Sequence, residues 1–167
     1  MALLNGGLLA AWVSLNLTMP AAVPYTSRMI TFVLPILALG AMGFLLMLRR
    51  PNNPVGWLLG GSGVLLSMMF LGLHYVFRWL YVRDLPQALL VPMAISGYMW
   101  ALAVPLLLVM VPLLFPDGRS LSRRWRPVLW LGAAGGIVTP VPVALDPRSL
   151  SDSHRTAPNP IGIVGAH

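Results

Sequence analysis

The sequence predicts an all-α integral membrane protein, a bundle of four to five transmembrane helices with short loops. Composition is the first reason, because 57% of the 167 residues are hydrophobic and only 9% are charged, with a mean hydropathy of +0.80. Soluble domains carry about 25% charged residues, so soluble and disordered classes fit poorly. The second reason is a series of long runs without Asp, Glu, Lys or Arg. Such runs cross lipid as helices, since the alternating pattern of barrel strands is not seen.

Five apolar runs define the predicted helices, and a helix needs about 20 such residues to span the hydrocarbon core. The runs cover residues 3–19, 29–48, 55–77, 91–114 and 127–145. The first run is short and carries Asn5 and Asn16. It lacks the basic start of a signal peptide, so a spanning helix is favoured over a cleaved signal. Together with an outer tail, 146–167, these helices form a single membrane domain, 1–167.

Turn residues separate the runs. Pro51 cannot continue a helix, so the second helix should end just before it. Asn53 is a favourable N-cap, and Pro54 suits the first position of the third helix. Pro116–Gly118 (Pro-Asp-Gly) has the chemistry of a type I turn. The tail repeats the helix-start pattern at 159–162, which we interpret as a further transmembrane helix that does not continue, with an ordinary Asn-Pro loop as the alternative.

The arginines orient the bundle. All 11 basic residues are Arg, and the net charge is +7. The loops 49–54 and 116–126 hold 6 Arg in 17 residues, whereas the loops of the other side hold 5 Arg in 36 residues. Because cytoplasmic loops concentrate positive charge, we expect the first set to lie inside a bacterial plasma membrane, against anionic headgroups. The N-terminus would then be cytoplasmic and the C-terminal tail extracellular.

Several kinds of chemistry lack their residues. The chain contains no Cys, Lys or Glu, which excludes disulfides, thiolate metal sites and a phosphate-loop lysine. His74, His154 and His167 share no ligand spacing, and the sequence has no carboxylate pair and no phosphate loop, so we predict no catalytic residue, no cofactor and no metal. The arginines lie in short clusters between apolar runs, so we predict no nucleic-acid partner. His74 lies within an apolar run, where an ionisable residue is a functional candidate, although a solvated or hydrogen-bonded structural His is the simpler interpretation.

Two glycine pairs have the spacing that lets helices approach closely, namely Gly56 with Gly60 and Gly132 with Gly136. In a chain with 16 glycines this spacing is a weak signal. It favours packing within the bundle over dimerisation.

Two segments resemble those of a known family. Residues 49–59 (RRPNNPVGWLL) resemble a segment of actinobacterial sensor histidine kinases, and residues 114–119 (LFPDGR), followed by 122–127 (SRRWRP), resemble a second segment of the same family. Residues 159–162 (NPIG) are similar to the segment before that family's last membrane helix. The resemblance covers nearly the whole chain, and the first helix is its least certain part.

The resemblance implies a membrane sensor region without the phosphoacceptor and ATP-binding domains of a kinase. We therefore expect a non-catalytic signalling membrane module that resembles the input region of a two-component system, with a homodimer or a kinase as candidate partner. A non-functional fragment is the alternative, and a small transporter or pore subunit is a weaker one because the runs contain no acid. The candidate site is a set of residues on the cytoplasmic face: Arg49, Arg50, Pro51, Asn53, Pro54, Gly56, Trp57, Phe115, Pro116, Asp117, Gly118, Arg119, Arg123, Arg124, Trp125 and Arg126.

Overall fold

The computed structural model describes residues 1–19, 30–119 and 122–145, and that part of the chain is helical without any strand. The all-α prediction is confirmed for these residues. The predicted helix start at 159–162 and the outer tail lie outside the described residues, as do His154 and His167.

Three helices form the first half of the chain. Helix α1 spans Ala2–Leu17, α2 spans Val33–Arg49 after a 3-10 turn at Ile30–Phe32, and α3 spans Pro54–Tyr81. Helix α2 begins later than the predicted residue 29, and Pro35 explains this because proline is tolerated in the first turn of a helix but not further inside. Helix α3 runs one turn beyond the predicted 77.

The fourth apolar run is helical but irregular. It contains α4 (Leu90–Ser96), a 3-10 turn, α5 (Trp100–Pro105), a π-helical stretch at Leu106–Met110 and α6 (Val111–Leu114). The π-helical stretch begins directly after Pro105. Proline removes one backbone donor and its ring crowds the carbonyl four residues earlier, so the helix widens at this point.

The fifth run is divided in two. A 3-10 turn at Arg123–Trp125 leads into α7 (Arg126–Val138), with Pro127 in its first turn as predicted, and α8 (Pro140–Leu145) follows after Thr139. The division falls at Pro140, which begins α8 and cannot continue the hydrogen bonding of α7.

Helix α3 lies at the centre of the described bundle. It packs against α1, α2, α4, α5, the π-helical stretch and α6, while α7 packs against α5 and the π-helical stretch on the far side. The buried residues of α3 occur on several faces along its length, as this position requires. Helix α2 is buried only along one narrow line, Ile36, Gly40 and Gly43, and exposes large apolar side chains elsewhere.

Glycines set the distance between α2 and α3. A Cβ atom on Gly43 would lie 2.6 Å from the Cα of Gly60 and 2.9 Å from the carbonyl oxygen of Gly56, so the two backbones are in contact. On the other side of the bundle, a Cβ on Gly136 would lie 3.0 Å from the carbonyl oxygen of Ala101. Each predicted glycine pair thus contributes at least one residue to a close helix contact within the described chain.

Two segments of the described chain are long and apolar enough to cross a membrane, Pro54–Tyr81 and the continuous helical run Gln87–Leu114. Ala2–Leu17 and Val33–Arg49 are apolar but shorter.

Candidate functional site

Residues 49–59 and 114–119 meet at one end of the bundle. Asn53 is the N-cap of α3, and its side-chain oxygen accepts a hydrogen bond from the backbone N–H of Val55 at 3.0 Å. Its side-chain nitrogen donates to the backbone carbonyl of Pro116 at 2.8 Å. One amide side chain therefore caps a helix and also holds a turn 63 residues further along the chain.

Gly118 completes this contact. The Pro-Asp-Gly turn is closed by the N–H of Gly118, which donates to the carbonyl of Leu114 at 2.7 Å. That bond reaches one residue further back than in the predicted type I turn, so the turn is wider than expected. Gly118 has φ +74°, and a Cβ there would lie 2.7 Å from the side-chain oxygen of Asn53. Glycine is required here both by its backbone angle and by the close approach of the first segment.

A polar cleft of about 380 Å³ lies between the two turns. It is lined by Arg50 and Asn52 from the first segment and by Asp117 and Arg119 from the second. All four side chains are exposed, and among the described residues Asp117 forms no ion pair. The arrangement presents two guanidinium groups and one carboxylate on a single surface.

The remaining predicted site residues lie partly beside the cleft and partly around the start of α7. Gly56 is buried against α2, and Trp57 is half exposed with its indole N–H donating to the carbonyl of Pro51 at 3.2 Å. Phe115 is also exposed. Four further residues, Arg123, Arg124, Trp125 and Arg126, are exposed around the start of α7, and within the described chain none of them bonds to the first segment. The structure thus brings together the Asn53 and Gly118 turns and leaves the RRWR segment apart.

A second polar cluster lies near the opposite end of α3, and no sequence spacing predicted it. His74 is fully buried, and its Nδ1 lies 3.1 Å from the indole Nε1 of Trp12 and 2.9 Å from the carbonyl of Phe70. Its Nε2 lies 3.0 Å from the side-chain nitrogen of Asn16. His74 is therefore a hydrogen-bonded residue of the interior, as one form of the simpler interpretation had it.

Another buried amide lies between these two ends of the bundle. Asn5 is 2% exposed, accepts a hydrogen bond from the hydroxyl of Ser67 at 2.6 Å and donates to the carbonyl of Ile36 at 3.4 Å. A Cβ on Gly63 would lie 3.4 Å from its side-chain nitrogen. Asn5 thus joins α1 to both α2 and α3.

An ion pair lies at the end of α3 beyond His74. Arg78 lies one turn after His74, and its guanidinium binds the carboxylate of Asp84 at 2.5 Å and the hydroxyl and carbonyl oxygens of Thr18 at 2.7 and 3.0 Å. The hydrogen bond from Arg78 holds the pKa of Asp84 below its usual value. Arg78 therefore joins Thr18, the first residue after α1, to the end of α3.

The described residues contain no group of three His, Asp or Glu side chains that could hold a metal ion. Comparison with known proteins found no matching family model, no matching curated protein and no matching solved structure.

Proposed function

We propose that this chain is a multi-pass membrane module of the kind that forms the input region of actinobacterial sensor histidine kinases, and that it is non-catalytic by itself. The observation that carries the proposal is the docking of its two family-like segments, because Asn53 binds the turn before Gly118 at one end of the bundle. Segments that resemble one family and also contact each other across 63 residues act as one structural unit.

The membrane arrangement follows from length and charge. Helix α3 has 28 residues and is about 42 Å long, enough to cross the bilayer with its ends in the headgroup regions. We propose that α1, α2, the run Gln87–Leu114 and the α7–α8 pair cross beside it, which makes five spans. Arg49 and Arg50 lie at the Asn53 end, and the Arg-rich second loop is docked there, so this end faces the cytoplasm.

The exposed surface is consistent with lipid around the bundle. Helix α2 exposes several large apolar side chains, and α7 does the same, including Trp130 at 76%. A soluble monomer rarely leaves apolar patches of such extent in water. The exposed arginines of the two loops would contact anionic headgroups, each contributing about 1 kcal/mol to attraction at the membrane surface.

A chimera tests the signalling role. The chain would replace the corresponding N-terminal membrane region of an actinobacterial sensor kinase, upstream of that kinase's last membrane helix, and reporter output would be measured in cells. We expect output that depends on the inserted region and changes with Asn53→Ala, while the exposed neighbour substitution Asn52→Ala leaves it unaltered. Output that is identical with the native, the Asn53→Ala and a scrambled insert would refute the proposal.

The non-catalytic character has its own test. Phosphoryl transfer requires groups that hold Mg²⁺ and neutralise the phosphates, and Asp117 is the only acid on the proposed cytoplasmic face of a chain without Lys or Glu. Purified protein with γ-labelled ATP and Mg²⁺ should show no labelled protein and no released phosphate above background. Stoichiometric labelling that disappears with a single His substitution would contradict this.

A further inference from the structure

One nitrogen of the buried His74 ring, Nδ1, faces two hydrogen-bond partners, and it cannot bond to both at once. The indole N–H of Trp12 only donates hydrogen bonds, and the carbonyl of Phe70 only accepts them, yet both lie within 3.1 Å of the same nitrogen, Nδ1. That nitrogen either carries a proton or offers a lone pair. From this geometry we propose that His74 is a proton-binding site, and that binding a proton breaks the hydrogen bond from Trp12 to His74. We call this bond between α1 and α3 the Trp12 latch.

The hydrogen bonds available in each protonation state lead to this conclusion. When the proton is on Nε2, Nδ1 accepts from Trp12 and Nε2 donates to the amide of Asn16, turned so that its oxygen faces the ring. When both nitrogens carry protons, Phe70 and Asn16 can still accept. The indole N–H of Trp12 then faces another N–H. Protonation of this state therefore removes one bond, the bond that joins the two helices through Trp12.

Trp12 has no easy replacement for the lost acceptor. Its side chain is 0% exposed and is stacked on Phe70 with a centroid distance of 4.7 Å. A buried donor without an acceptor destabilises the closed arrangement. The end of α1 must shift until the indole finds another acceptor, and the same movement admits water to the charged imidazole. Proton binding and loosening of α1 are coupled for this reason.

Charges around the ring do not stabilise the imidazolium. In the described residues three charged side chains lie at this end. Arg78, one turn along α3, pairs with Asp84, and the guanidinium of Arg83 lies 3.8 Å over the ring of Trp79. Tyr75 uses its hydroxyl to donate to the carbonyl of Pro86 at 2.7 Å. Helices α1 and α4 contain no ionisable side chain, and the only one of α2 is Arg49 at its other end. Within residues 1–19, 30–119 and 122–145, no carboxylate packed against His74 is available to hold it charged in the closed state.

The position of the site gives the proton a route. His74 lies 20 residues beyond Pro54, about 30 Å along α3, near the end away from the arginine-rich turns. Asn16 is only partly buried and connects Nε2 to the surface at that end. The site therefore communicates with one side of the bundle. Proton binding is a property of the chain itself, and if the proposed signalling function holds, the proton is the class of stimulus.

The experiment uses the full chain in phosphatidylcholine nanodiscs, with His154→Ala and His167→Ala so that His74 is the single histidine. Nitrogen NMR of the labelled imidazole reports protonation between about pH 8.5 and 4.5. Because the chain has no cysteine, Leu17→Cys and Val82→Cys provide two exposed spin-label sites at the ends of α1 and α3. We expect the imidazole to become doubly protonated as pH falls, and the distance between the labels to increase over the same pH range.

Two substitutions separate the steps. In His74→Gln, which cannot take a proton, the label distance should not depend on pH. In Trp12→Phe, which lacks the indole donor, the imidazole should still titrate while the distance no longer follows it. An imidazole that stays neutral throughout, a protonation without a change in distance, or a pH-dependent distance that persists in His74→Gln would each overturn the proposal. The kinase chimera is absent from this experiment, so failure of the latch and failure of the signalling role remain distinguishable.

Discussion

Replacing Asn53 by Ala should destabilise the bundle by removing two hydrogen bonds at once. Loss of an N-cap costs about 1 kcal/mol, and here the cap is the 3.0 Å bond to the N–H of Val55. The 2.8 Å bond from the Asn53 amide to the carbonyl of Pro116 contributes about another 1 kcal/mol. Because Asn53 is only 9% exposed, water cannot easily replace either bond. We therefore expect a loss of about 2 kcal/mol, which is about a 30-fold change in the folded-to-unfolded ratio.

The assay is unfolding by SDS in mixed micelles, followed by circular dichroism, with two comparison variants. Asn52→Ala is the matched control, because Asn52 is exposed and adjacent, and its change in free energy should lie within about 0.5 kcal/mol of zero. Asn53→Ser keeps a capping oxygen but cannot reach Pro116, so it should lose about half as much as Asn53→Ala. If Asn53→Ala and Asn52→Ala are equally stable, the docking of the two turns contributes nothing and the reasoning fails.

Three other predictions concern packing, topology and pH. Gly43→Ala should destabilise the protein by about 1–3 kcal/mol, because the added Cβ meets the backbone of α3 at the α2–α3 contact, here called the glycine seam. Gly61→Ala, with nothing within 4 Å, should be neutral or stabilising by up to about 1 kcal/mol, and equal effects of the two in the same SDS assay would show that the glycine seam is not tightly packed. In intact cells a membrane-impermeant thiol reagent should label Gln87→Cys and spare Asn52→Cys, and the reverse pattern would invert the topology. Arg78 lowers the pKa of Asp84, so the ion pair stabilises the fold above the ordinary carboxyl pKa, and this stabilisation is lost as pH falls through the lower pKa of the folded state. Asp84→Asn should therefore remove the decrease in thermal stability over that acid range. An unchanged acid profile in this variant would show that the pair is not responsible.

Local chemistry made the helix ends at the Arg-rich side predictable. Pro51 and the Asn53-Pro54 pair act within a few residues of themselves, and the structure ends α2 at Arg49 and begins α3 at Pro54 as predicted. The docking of the second turn onto Asn53 could not be derived in the same way. It joins residues 63 positions apart through one amide and one backbone carbonyl, and neither residue type specifies a long-range partner.

The π-helical stretch shows a different limit. The prolines at positions 105 and 112 were visible in the sequence, and a proline within a helix predicts disruption. Whether the chain responds by ending, kinking or widening depends on what packs beside it. Here α7 supplies Gly136 against the carbonyl of Ala101, the backbone group that Pro105 leaves without its helical donor. Close packing by glycine is what allows the predicted helix of residues 91–114 to continue through Pro105 in a widened form.

Asn5 and Asn16 were interpreted as weaknesses of the first run, and in the structure they are its contacts with the rest of the bundle. In a chain this apolar, hydrophobic periodicity cannot mark the buried face, because every face of a helix is apolar. Small and polar residues distinguish it instead, together with a few large apolar side chains at the same spacing. The buried line repeats every four and three residues on each of the first three helices: Asn5, Leu9, Trp12 and Asn16 on α1; Ile36, Gly40, Gly43 and Met47 on α2; Gly56, Gly60, Gly63, Ser67, Phe70 and His74 on α3.

The order of residues along that line on α3 links the two ends of the molecule. Its first half is glycine, so α2 contacts α3 backbone to backbone near Gly60 and little movement is possible there. Its second half carries Phe70 and His74, where side chains rather than backbone fill the space between the helices. Side-chain contacts can rearrange without separating the glycine seam. A change at His74 would therefore move the end of α1 near Trp12, while α2 and α3 stay in contact at their glycines and the Asn53 turn remains docked.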